Sequence, residues 1–321
     1  MWKLSIAHWP EYLCEAGLVA LFVLADCLIT IAVKYPGSPV QSWFPDPFGQ
    51  RLVIGLGLGM ATLLLIKSPL GEASGAHMNP AITLTFFYLG KVRLVDLCFY
   101  IIAQVAGVFA TLFVLSRLLP EAVKHPAVNY LISMAGSAGE LAAFAGEFLI
   151  AFLLMAALLW INNTPYWARH TPWCVALLVT FFVTVESPLS GANMDPALAT
   201  ISDFFGRAWR GWWLYFVAPL LAMPAAAFLY NATARRVYCA KLFHYNHRRC
   251  IFRCEFPALL AEERTPGSLT PSNEAHPGIV VERTALDLLA DGLAGDGKLV
   301  GERFIPLRYF NGQAATDFSR E

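Results

Sequence analysis

The hydrophobic and polar positions along the chain fall into a pattern that is stated twice. Six stretches are apolar enough to read as helices crossing a bilayer, in two groups of three: residues 11–33, 52–66 and 94–119, then 139–161, 173–185 and 211–230. Polar residues interrupt them sparsely. Glu15 and Asp26 lie in the first, Gln104 in the third, Glu140 and Glu147 in the fourth. Gly55, Gly57 and Gly59 give the second a small-residue face for close helix contact. Pro219 and Pro224 interrupt the sixth, which membrane helices tolerate better than soluble ones.

Between the second and third stretch of each group stands a related phrase. Residues 68–90 read SPLGEASGAHMNPAITLTFFYLG and residues 187–206 read SPLSGANMDPALATISDFFG. In each, an Asn or Asp (Asn79, Asp195) is followed by Pro and Ala (Pro80 and Ala81, Pro196 and Ala197), and a glycine stands eleven residues after the cap, Gly90 or Gly206. A polar cap, Pro at the first helical position and Gly past the end predict a helix of about ten residues. Such a helix is about 15 Å long, roughly half the hydrocarbon thickness. Half-spanning helices in matching places of two halves point to a site at the bilayer midplane. Three full spans per group invert the second copy relative to the first, so the two half-helices approach from opposite faces and their N-termini meet. The SGAxM–Asn/Asp–PA phrase recurs at an offset of 116 and SPL at 119, the difference being Gly71-Glu72-Ala73 in the first copy.

Composition agrees with a membrane protein. The 321 residues are 57% hydrophobic and only 14% charged, with a mean hydropathy of +0.54, against about 25% charge in an average soluble chain. A formal net charge of zero removes the electrostatic case for a nucleic-acid partner. No nucleotide fingerprint, nucleophile elbow or acid–base pair suggests an enzyme. Six spans put both termini on one face. With the termini inside, the inner segments hold Lys3, Lys67, Lys91, Arg93, Arg169 and six further Lys or Arg between Arg235 and Arg253, against Lys34, Arg51, Arg117, Lys124, Arg207 and Arg210 outside, which favours cytoplasmic termini. The channel-like part is expected to cover residues 1–236, with repeats at about 10–119 and 137–232. Residues 237–321 are expected to form a largely irregular tail containing a Pro-rich linker at 264–277 and a short amphipathic helix at 279–291.

With these features in hand, the chain resembles the major intrinsic protein family, the aquaporins and aquaglyceroporins. The resemblance rests on Ser74-Gly75-Ala76-His77-Met78-Asn79-Pro80-Ala81, on Tyr100-Ile101-Ile102-Ala103-Gln104, on Trp213-Leu214-Tyr215-Phe216-Val217-Ala218-Pro219-Leu220, and on the second, inverted box. It covers roughly residues 10–235. It implies an all-α membrane fold of six spans plus two re-entrant half-helices, a homotetramer in the plasma or inner membrane, and passive passage of water or small neutral solutes. It assigns Glu15 and Glu147, with His77 and Gln104, to holding the loops that carry the half-helices. Loop backbone inside a membrane must find its hydrogen bonds within the protein, and buried carboxylates can supply them. Asp26, deep in the first span, faces either a pore or a helix partner.

Two positions depart from the family pattern. The second cap is Asp195 where the family has Asn; an ionised carboxylate accepts hydrogen bonds but cannot donate. Three residues on, Leu198 occupies the place of the family's filter arginine, and the resemblance puts the other filter positions near Leu56, Val183 and Ala192. The expected result is a wider, more apolar constriction, unless Arg207 or Arg210 reaches into it. Relaxed passage of small neutral solutes is the preferred reading; a leaky or cation-permeable channel and a non-conducting assembly protein are the alternatives. No cofactor is implied, but His244, His247, Cys250 and Cys254 have the donor types of a soft-metal or redox site. The other reading of that stretch is a basic segment at the lipid headgroups.

Overall fold

The computed structural model describes residues 7–244 and 249–259. Its frame is six helices long and apolar enough to cross a membrane: α1 (Trp9–Lys34), α2 (Pro47–Lys67), α4 (Leu94–Leu118), α5 (Glu140–Asn162), α6 (Thr171–Val185, extended at its start by a single turn of 3₁₀ helix) and α8 (Trp212–Ala232). The half-helices are α3 (Pro80–Tyr88) and α7 (Pro196–Gly206). The inverted repeat shows in the packing. Helices α1 and α4 pair within the first repeat as α5 and α8 do in the second, while α2 and α6, equivalent in the two copies, pair across the junction. Each half-helix also touches the last span of the opposite repeat.

Helix α2 begins five residues before the apolar run that signals it. Asp46 caps it, its carboxylate accepting from Gly49 N at 2.7 Å, with Pro47 at the first helical position. Its small-residue face works as expected at two of three glycines. A Cβ on Gly55 would stand 2.7 Å from the Thr180 carbonyl oxygen, and one on Gly59 would stand 2.1 Å from Thr180 Oγ1, whereas Gly57 faces Ile29. The α2–α6 junction thus depends on the missing side chains at 55 and 59. Gly59→Leu is expected to cost about 1–3 kcal/mol or more through overpacking, read as a lower thermal midpoint of the purified protein, while Gly37→Ala, where nothing lies within 4 Å of the added atom, serves as a control for positive-φ strain alone.

The expected glycine stop holds for α3 and not for α7. Gly90 takes a φ of +71° past the end of α3. In the second copy Gly206 stays helical and Arg207 adopts the left-handed conformation at φ +54°. Gly206 has a different use: a Cβ there would fall 2.2 Å from Ile132 Cδ1, so the absence of a side chain lets the outer loop close over the half-helix. Asp203, on the same half-helix, is 3% exposed.

The channel unit also extends beyond the boundary expected at residue 236. Residues 237–244 and 249–259 pack against the first re-entrant loop, the turn after α3 and the end of α5. Leu242 N donates to the Gly75 carbonyl at 3.0 Å and Arg253 N to the Lys91 carbonyl at 3.0 Å. Asn163 Oδ1 accepts from Tyr238 N at 2.7 Å, and Asn162 Nδ2 donates to the Lys241 carbonyl at 3.0 Å. Lys241 is 2% exposed, and its ammonium is held by the carbonyls of Glu72 and Arg249. These residues carry no helical period because main-chain pairing to loops, not an amphipathic face, buries them. The linker at 264–277 and the helix at 279–291 lie outside the described residues.

Candidate functional site

Each half-helix is delivered to the middle of the molecule by a loop with the same backbone path. Gly75, Ala76 and Met78 have φ of +94°, +56° and +49°; Gly191, Ala192 and Met194 have +102°, +54° and +57°. Left-handed conformations at four non-glycine residues are costly, and each loop is held by matching bonds. Ser74 Oγ accepts from Ala76 N and Ser190 Oγ from Ala192 N, at 3.1 and 3.2 Å. The Tyr100 hydroxyl donates to the Ser74 carbonyl, and the Tyr215 hydroxyl to the Ser190 carbonyl.

Two buried glutamates accept hydrogen bonds from the loops that carry the half-helices. Glu147, fully buried, accepts from Ser190 Oγ and Asn193 N through Oε1, both at 2.8 Å, and from Met194 N through Oε2 at 2.9 Å. Glu15, also fully buried, accepts from Met78 N and from Gln104 Nε2. Gln104 Nε2 lies 3.0 Å from Thr83 Oγ1 as well. His77 bridges Thr83 Oγ1 at 3.1 Å and the Ala240 carbonyl at 2.9 Å, so it fastens the C-terminal segment to the loop in addition to holding the loop itself.

The caps meet as the repeat predicts. Asn79 Oδ1 accepts from Ala81 N at 2.7 Å, and Asp195 Oδ1 accepts from Ala197 N at 2.8 Å. Asn79 Nδ2 donates to the Met194 carbonyl at 2.7 Å. One of its two hydrogens therefore ties the boxes together and the second is left for the cavity that Asn79 lines. Asp195, facing the same space, is already committed as an acceptor to its own helix.

A cavity of about 570 Å³ runs past both caps. At one end it is walled by Lys34, Arg51, Asn129 and Ser187; at the midplane by Asn79 and Asp195; at the other end by Ile66, Leu154, Val175 and Leu242. Val183, Ala192 and Leu198 line it, but Leu56 does not: Ile54 and Leu58 do. Leu56 is 55% exposed on the outer side of α2. A helix turns by about 100° per residue, so a register slip of two positions moves a side chain from the pore to the opposite face. Neither Arg207 nor Arg210 lines the cavity; Arg210 is exposed and 3.9 Å from Glu140, which sits at the span's edge as expected.

The cations lining the cavity come from elsewhere. Arg51 Nε donates to the Thr184 carbonyl at 3.1 Å, and Lys34 stands at the end of α1 on the same wall. Asp26 also lines the cavity, accepting from Thr30 Oγ1 at 3.1 Å. Arg51 lies just outside the apolar run that marks α2 in the sequence; the Asp46-Pro47 cap signal was the available clue that the helix starts early enough to include it.

Outside the spans, four Cys and His side chains of the C-terminal segment come together. Cys239, His244, Cys250 and Cys254 place one donor atom each within 4.8 Å of all the others. His247 lies outside the described residues, and Cys239 takes the fourth place. Hydrogen bonds from the Cys239 and Cys250 thiols hold the Cys254 thiol far below its usual range.

Comparison with known proteins agrees with this geometry. The sequence profile of the major intrinsic protein family matches residues 3–230. A probable NIP-type aquaporin of Nicotiana alata is 31% identical over 177 residues, 54% of this chain and 62% of that protein. Aquaporin NIP1-2 of Arabidopsis thaliana is 31% identical over 179 residues, so the chain spans only 60–62% of the length of these plant relatives. The lens fiber major intrinsic protein of Gallus gallus is 30% identical over 240 residues, 70% of this chain and 83% of that one. Among solved structures, the aquaglyceroporin from Plasmodium falciparum superimposes with a TM-score of 0.56 at 16% identity, covering 71% of this chain and 97% of its own, a likeness of fold alone. Since the matching profile runs from the first span into the last turns of the sixth, through both half-helices, the chain belongs to the major intrinsic protein family.

Proposed function

We propose that this protein is a passive channel for water and small neutral solutes of the glycerol class, with selectivity relaxed relative to a strict water pore. The observation that carries the reading is the composition of the cavity where the family pattern has its filter. Val183, Ala192 and Leu198 line it there, with no aromatic ring and no cation among the three. Apolar walls suit the carbon skeleton of a polyol, while Asn79 Nδ2 and loop carbonyls serve its hydroxyls. Selectivity in such pores reduces to diameter, lining donors and acceptors, and electrostatic barriers.

Two half-helix N-termini facing each other supply a positive potential at the midplane, and Lys34 with Arg51 add cations at the outer mouth. Asp26 and Asp195 work against them. On this reading the Lys34 and Arg51 charges, displaced from the usual filter position, keep cations out while leaving the width of the constriction unchanged. The name of the structural relative, an aquaglyceroporin, is consistent with a polyol-sized substrate. The molecule is inferred to act as a homotetramer in the plasma or inner membrane with both termini cytoplasmic, its exposed apolar side chains facing lipid and neighbouring copies.

Proteoliposome flux tests this. Glycerol and water permeation without ion current is the expected result. Arg51→Gln is expected to raise cation permeability, and Asp195→Asn to lower it, with glycerol flux retained in both. An ion current in the unmodified protein would favour the cation-permeable alternative, and an absence of all flux in intact tetramers would favour an assembly role.

A further inference from the structure

We propose that Cys239, His244, Cys250 and Cys254 form a tetrahedral zinc-class metal site that clamps the segment 237–259 beneath the first re-entrant loop. Their spacing is C-x4-H-x5-C-x3-C. The donor geometry fits the ion. Cys239 Sγ and Cys250 Sγ are 3.6 Å apart and His244 Nε2 is 3.2 Å from Cys254 Sγ. At ordinary zinc–sulfur and zinc–nitrogen bond lengths, the edges of a tetrahedral site are about 3.8 Å between sulfurs and about 3.5 Å between sulfur and nitrogen. A separation of 3.6 Å is far too long for a disulfide, whose sulfurs are about 2.0 Å apart.

The surroundings are those of a built site. The His244 ring is fixed by stacking on Phe256, centroids 4.2 Å apart, with its Nε2 turned toward Cys254. Binding takes one proton from each thiol that still carries one, releases it to solvent, and leaves three thiolates and a neutral imidazole on a dication. The net charge of −1 then lies on a stretch that also contains Lys241, Arg249 and Arg253, which offset it.

The cluster sits where it can hold structure. Between Cys239 and His244 run the residues that bind the loop: the Ala240 carbonyl on His77, and Leu242 N on the Gly75 carbonyl. Between Cys250 and Cys254 lies Phe252, stacked on His77 at 5.2 Å; a Cβ on Gly75 would come within 2.8 Å of that ring. Cross-linking the two strands through one ion therefore fixes the layer under Gly75–His77. It also fixes Leu242, whose side chain forms part of the cavity wall at that end. Free thiols in mutual hydrogen bonds would give the same contacts with much less restraint, since a structural metal adds its binding energy to the folded state.

The experiment uses the full chain in detergent, purified under reducing conditions and loaded with zinc or cobalt(II). One equivalent of zinc per chain is expected by elemental analysis. The cobalt form should show a thiolate-to-metal charge-transfer band and the visible bands of a tetrahedral centre, and these should disappear in Cys250→Ser and in His244→Ala. Hydrogen exchange at residues 237–259 should accelerate when a chelator removes the ion, with exchange in the spans unchanged. Absence of a stoichiometric ion after loading or an octahedral cobalt spectrum would overturn the proposal, as would exchange at 237–259 that ignores the chelator. None of these readouts needs solute flux, so their failure is distinct from failure of the channel reading.

Discussion

Glu147→Leu is expected to abolish solute flux and to prevent recovery of a monodisperse oligomer. The carboxylate accepts three hydrogen bonds, from Ser190 Oγ, Asn193 N and Met194 N, at a fully buried position. Leucine is of similar bulk and satisfies none of them. Each buried donor left without a partner costs about 1–3 kcal/mol, against a total domain stability of about 5–15 kcal/mol. A loss of about 4 kcal/mol is already close to a thousandfold in an equilibrium constant. The loop it holds also keeps Ala192 and Met194 at positive φ, a strain that persists only while its surroundings enforce it. Glu147→Gln should fall between wild type and leucine, because one amide oxygen can accept two of the three bonds while the amide nitrogen opposes another donor. Size-exclusion profile and thermal midpoint rank the three proteins. Equal behaviour of all three proteins would mean that volume alone matters at this site. Glu15→Leu should act in the same direction through Met78 N and Gln104.

Those two glutamates were legible through the family resemblance, and the physics agrees with it: a buried acid needs partners, and the half-helix loops are where unpaired backbone donors occur. The caps and half-helices were legible because Asn/Asp-Pro is a local instruction, independent of tertiary context. Side-chain direction on the full spans was not. Leu56 and its neighbours Ile54 and Leu58 are alike in character, and an all-apolar helix carries no amphipathic period to say which face meets the pore. Arg51 was missed because hydropathy begins the span at residue 52, whereas the Asp46 cap begins the helix at Pro47. The segment after residue 236 was read as an irregular tail because it has neither period nor run. It is buried by hydrogen bonds to the Gly75 and Lys91 carbonyls and to Asn163, which only the folded loops provide. The Cys/His pattern was visible there, but three-dimensional proximity chose Cys239 as the fourth donor.

The asymmetry between the two boxes leads to the second large effect. Leu198→Arg is expected to lower glycerol permeation by at least about tenfold, equivalent to some 1.4 kcal/mol of added barrier, while water permeation persists. Leu198 is 6% exposed and lines the cavity three residues after the Asp195 cap, on the first turn of α7. An arginine from this position would place a planar, permanently charged group in a lumen now bounded there by aliphatic side chains. It would narrow the passage and replace apolar wall with donors that a water molecule can use and a polyol's carbon skeleton cannot. The charge would add to those of Lys34 and Arg51, so cation permeability should fall in the same variant. The double change Asp195→Asn, Leu198→Arg should go further, since it also removes a negative charge from the midplane and supplies a second amide donor opposite Asn79. Stopped-flow measurement of the glycerol-to-water ratio in proteoliposomes decides the point. A ratio unchanged by Leu198→Arg, in protein that still assembles, would mean that the narrowest part of the pore lies elsewhere, and the end lined by Leu154, Val175 and Leu242 would then be the place to mutate next.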